Sequence, residues 1–172
     1  MTLFTPPLMA KAVKTVDGMD MSERIRLADE IHVQQPQLLA SVVVLHRMGS
    51  SYPQIEVALH ILLVSYQAMK LSGHAWPMIS EATQDACLRR LTGQIMLSEG
   101  LPEALQQQSA HLYIDEHPEP VLLAFAHEHL RQNDLLAVRT DAEKFLMLAV
   151  LNLVECIASV RDQARPLSGA QA

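Results

Sequence analysis

Three carboxylate–histidine pairs stand at helical spacing in this chain: Asp29 with His32, Glu56 with His60, and His111 with Asp115. Residues three or four apart share a helix face, so each pair would present a carboxylate oxygen and an imidazole nitrogen side by side. Several such pairs converging between helices make a carboxylate-bridged metal site. That template needs Glu-x-x-His twice together with two further glutamates, and this sequence lacks the motif. The six residues therefore define an alternative reading, a helical metalloprotein or small-molecule binder. No cofactor is otherwise expected.

Other chemistry finds less footing. His111, His117, His127 and His129 lie among Asp115, Glu116, Glu119 and Glu128. On a helix, His127 and His129 point about 200° apart and cannot share an ion. The stretch reads as a solvated acidic rim. Cys87 and Cys156 stand alone among apolar residues, without CxxC or CxxH context, and read as reduced core thiols. There is no Gly-x-Ser-x-Gly elbow and no glycine-rich phosphate loop, so catalysis is not expected. The segment 45–63 has the outline of a helix-turn-helix around Gly49. Its second helix offers only Gln54, Glu56 and His60 on an apolar cylinder, where base readout needs basic and polar residues. A DNA-associated regulator is thus a further, weaker alternative. The single tryptophan, Trp76, lies in a loop that plugs the end of a bundle or anchors a lid or partner.

These residues must be positioned by helices. Between Ile31 and Ser80 only Arg47, Glu56 and Lys70 are charged, so much of this stretch must line a core or an interface. The clearest helix starts at Ser51, whose side chain can form a capping box with Gln54, and stops at Gly73. It carries two apolar stripes, Ile55, Leu59, Leu62, Tyr66 and Met69 beside Val57, Ile61, Val64, Ala68 and Leu71, which calls for packing on two sides. The last helix, opened by Thr140 with Glu143, repeats the arrangement. Leu146, Val150, Leu153 and Ile157 form its seam, and Lys144, Asn152, Glu155 and Ser159 a thin polar strip. Further helices are predicted over about 22–35, 38–48, 81–98, 102–117 and 119–132. Pro6-Pro7 and Asp17-Gly18 mark residues 1–21 as a loosely ordered arm. The helical domain then covers 22–163, and 164–172 is a flexible tail.

Composition agrees with an all-α single domain, a bundle of about six or seven helices. Of 172 residues 49% are hydrophobic but only 4% aromatic, so the core must be aliphatic, as helix-on-helix packing allows. The net charge is -6, and the segment 99–143 holds nine acidic residues against Arg131 and Arg139. That balance disfavours nucleic acid and anionic membranes as partners and suits a basic protein partner. No apolar run is long enough to span a bilayer, and nothing near the start resembles a signal peptide, which points to the cytoplasm. The expectation from sequence is a non-catalytic helical interaction or regulatory protein that self-associates as a homo-oligomer through apolar helix faces, Leu59, Leu62, Tyr66 and Met69 among them.

Overall fold

The computed structural model describes residues 2–167, and the fold is all-α. Eight α-helices in those residues are joined to one two-stranded ribbon. The helices are α1 (Pro6–Asp17), α2 (Met21–Gln34), α3 (Pro36–Val43), α4 (Tyr52–Leu71), α5 (Glu81–Glu99), α6 (Glu103–Asp115), α7 (Pro120–Gln132) and α8 (Asp141–Val160).

Local chemistry sets most of the boundaries. Ser51 and Gln54 close a reciprocal capping box at the start of α4, with Pro53 in its first turn. Gly73, at φ +71°, then turns the chain in the left-handed conformation that glycine tolerates best. Thr140 caps α8 through the Glu143 amide. The cap of α2 is Asp20 in a box with Glu23, two residues before the Ser22 start read from the sequence.

The centre is built from α4 and α8. Every residue of α4 from Ile61 to Met69 is buried, as are Leu146, Val150, Leu153 and Ile157 of α8. The double stripes are satisfied within one chain: α4 packs against α1, α2, α3 and α7 as well as α8, and α8 packs against α3, α5 and α7. Leu62, Tyr66 and Met69 are core residues, and Leu59 is partly buried against the core.

Two boundaries differ from the sequence expectation. Residues 2–21 are not a loose arm. Phe4, Met9, Ala12 and Val16 are buried, and α1 lies along α4. Pro6-Pro7 opens that helix, because proline at the first helical positions sacrifices no hydrogen bond. The expected tail begins instead with a strand, β2 (Arg165–Pro166). It pairs antiparallel with β1 (His74–Ala75) in the register His74 to Pro166 and Ala75 to Arg165. Positions 168–172 lie outside the described residues. Among those described, no helix is long and apolar enough to cross a membrane.

Candidate functional site

A cleft of about 760 Å³ opens between α5, α6, α7 and α8. It exists because two of its walls pack incompletely. Beyond Leu91 no residue of α5 is buried, and α6 buries none at all. Leu91, Ile95, Leu123, Met147 and Leu151 give it apolar walls. The volume is that of a small-molecule site.

Among the polar residues of this lining, Tyr113, His117 and Glu155 come together. The Tyr113 hydroxyl donates to Glu155 Oε1. His117 Nε2 lies 3.3 Å from the same oxygen but off its hydrogen-bonding direction, so this buried nitrogen has no aligned partner among the described residues. His117 Nδ1 accepts the Glu119 backbone N–H at 3.0 Å, which puts the ring hydrogen on Nε2. The Tyr113 and His117 rings meet edge-on, with centroids 5.8 Å apart. Burial opposes ionisation of Glu155, yet contacts from His117 and Tyr113 and the nearby Arg90 charge outweigh it and hold the carboxyl below its ordinary range. Burial and the Glu155 bond together push the Tyr113 phenol well above its usual value.

Arg90 completes the lining but turns away from the carboxylate, its Nη2 donating to Cys87 Sγ at 3.1 Å. Cys87 and Cys156 are buried free thiols. Burial, with Cys87 beside it, pushes the Cys156 thiol far above the ordinary range.

The loop before α7 is fixed from behind. Glu119 is fully buried, and its carboxylate accepts from the amides of Leu3 at 2.9 Å and Phe4 at 3.1 Å and from the Thr2 hydroxyl. Arg161 Nη1 approaches it at 3.8 Å. The acidic-rim reading is therefore wrong for His117 and Glu119, both of which are interior.

The three sequence pairs do not converge. Asp29, His32, Glu56, His111 and Asp115 are all exposed. His60 turns instead to Asp17 of α1 at 3.7 Å and stacks on His129 of α7, centroids 4.6 Å apart. Among the described residues no group of three or more His, Cys, Asp or Glu side chains is placed to hold a metal ion. His127 and His129 do diverge, as expected, one lining the cleft and the other meeting His60. Trp76 is an internal plug. Its indole N–H donates to Met69 O at 3.1 Å and Ser72 Oγ at 3.0 Å, and its ring stacks on Phe4. The second helix of the helix-turn-helix outline is α4, too deeply buried to enter a groove.

Sequence reading missed Tyr113, His117 and Glu155 as a group. Its one usable signal was Glu155 in the thin polar strip of a helix otherwise apolar. No protein-family profile, curated protein or solved structure matches this chain.

Proposed function

We propose that this protein is a non-catalytic binder of a small, largely apolar molecule held in the cleft between α5 and α8. The observation that supports this reading is a cleft of ligand size with aliphatic walls, on which the buried His117 and the partly buried Tyr113 and Glu155 meet. Apolar walls supply affinity, and a few fixed polar groups orient the ligand. Among the described residues no cysteine lines the cleft, and no hydrogen bond joins Ser98 or Ser109 of its lining to a histidine base. The pair of buried free thiols suits a reducing compartment such as the cytoplasm.

The test is a titration with the neutral fluorophore N-phenyl-1-naphthylamine. Emission should rise and saturate with the wild-type protein, and Leu151→Trp, which fills the cleft, should abolish the rise while the protein keeps its helical circular dichroism. Absence of binding to wild type, or unchanged binding to a folded Leu151→Trp, defeats the reading.

A second reading keeps the self-association inferred from sequence but moves its surface. The seam residues of α4 and α8 are spent on the core, whereas Met96 and Leu97 are 73% and 79% exposed and Leu105 and Leu112 of α6 are about half exposed. These exposed apolar side chains of the α5–α6 hairpin, of which Leu97 and Leu112 also line the cleft, favour a homodimer or a protein partner. Light scattering behind size exclusion decides it: a monomer at all concentrations, for wild type as for Leu97→Glu, removes the homodimer.

A further inference from the structure

We infer that the ligand of the cleft is an organic cation with an apolar body, its ammonium group set against the Glu155 carboxylate. This rests on the ligand-binding reading above and adds the charge of the ligand.

The argument begins with what Glu155 lacks. It is the carboxylate that α8 offers to an aliphatic cleft, and its two protein contacts, Tyr113 and His117, both approach Oε1. Among the described residues nothing donates to Oε2, and no Lys or Arg reaches within 4.0 Å of either oxygen. The His117 ring supplies no full charge, because its Nδ1 already accepts the Glu119 amide. Oε2 is open to solvent, the Glu155 side chain being 17% exposed, and a ligand that fills the cleft displaces water from it, which is costly for a carboxylate unless the ligand brings a counter-ion or donor. The hydrogen bond from Tyr113 favours its charged form nonetheless. An ammonium group at Oε2 supplies a counter-charge and a donor in place of that water.

Arg90, the one arginine or lysine among the described residues of the same lining, argues against a cation. It lies beyond 4.0 Å from Glu155, is spent on Cys87 Sγ and is exposed, so solvent screens it. The wider field runs the other way. The segment 99–143, which supplies α6 and α7 to the cleft, carries nine acidic residues against two arginines, and Glu116 adds a carboxylate to the lining. An anionic ligand would meet Glu155 and Glu116 directly. A neutral hydrocarbon would cover Oε2 and leave it without water or partner.

The experiment compares three probes of equal chain length, decylamine, decanol and decanoate, as displacers of N-phenyl-1-naphthylamine at pH 7. Decylamine should displace the fluorophore at a concentration at least about tenfold lower than decanoate, with decanol between them. Glu155→Gln should still bind the fluorophore and lose that order. Equal displacement by all three, or the same order in Glu155→Gln, overturns the cation while leaving the cleft a binding site. Failure of the fluorophore to bind wild type overturns both. If Glu155→Gln does not fold, Glu155→Met carries the same comparison, and the wild-type order alone suffices to overturn the inference.

Discussion

The backbone amide of Glu119 donates to His117 Nδ1 at 3.0 Å, while the Glu119 carboxylate, facing the other way, accepts the amides of Leu3 and Phe4. One residue thus joins the start of the chain to the histidine in the cleft. The loop 116–119 is held from both sides, which fixes the tautomer of His117 and orients the ring towards Glu155. The cleft wall is hydrogen-bonded on both sides there, whereas α5 beyond Leu91 and all of α6 bury no residue.

Removing the Glu119 carboxylate should therefore destabilise the fold more than its distance from the α4–α8 centre suggests. Glu119→Ala leaves two amides and a hydroxyl unpaired in the interior, a loss of about 3 kcal/mol or more. Urea denaturation measures it. A change below about 0.5 kcal/mol, the size of an ordinary surface substitution, would show that the N-terminal segment is not held this way.

Acidification should loosen the junction of α1, α4 and α7. Burial lowers the His60 and His129 values below the ordinary 6.5, and the charge each would gain opposes the other at 4.6 Å, while Asp17 opposes the shift in part. Both rings stay neutral in the fold after the unfolded chain begins to take up protons. Their stabilisation is complete above pH 6.5 and is lost as pH falls from there through the lower folded values. Tm measured from pH 7.5 to 5 should decline, and the decline should be shallower in His60→Gln/His129→Gln. An identical slope in the double variant would refute it.

The helices declared by their own ends were readable. The Ser51–Gln54 box, the Thr140 cap and the Gly73 stop are local hydrogen-bond and backbone effects, complete within a few residues. Pro6-Pro7 misled, because the same residue type breaks a helix interior and opens a helix. The apolar stripes of α4 and α8 were legible as buried, but a stripe does not say whether a second subunit or the chain itself covers it. The cleft was not legible. Tyr113 and Glu155 are 42 residues apart, and their meeting depends on how α6 is carried on α5 and α7, which no spacing rule encodes. Exposed Asp29, Glu56 and His111 show the reverse failure: helical spacing put each pair on one face, but not on a face that meets the others.

Leu62 separates core from interface directly. It is fully buried at the middle of α4 within one chain. Leu62→Asp should cost about 4 kcal/mol or more by burying an unpaired charge, seen as loss of cooperative thermal unfolding. A folded variant that changes only its oligomeric state would contradict the packing of α4.

The decisive measurement for the cleft is a methyl NMR titration with N-phenyl-1-naphthylamine. Methyl resonances of Leu91, Ile95, Leu123 and Leu151, which line the opening, should move together and saturate. Those of Leu62 and Ile157, sealed in the core, should stay in place. Shifts confined to the exposed Ile25 and Val33 of α2, or no saturable shift at all, would contradict a ligand site between α5 and α8.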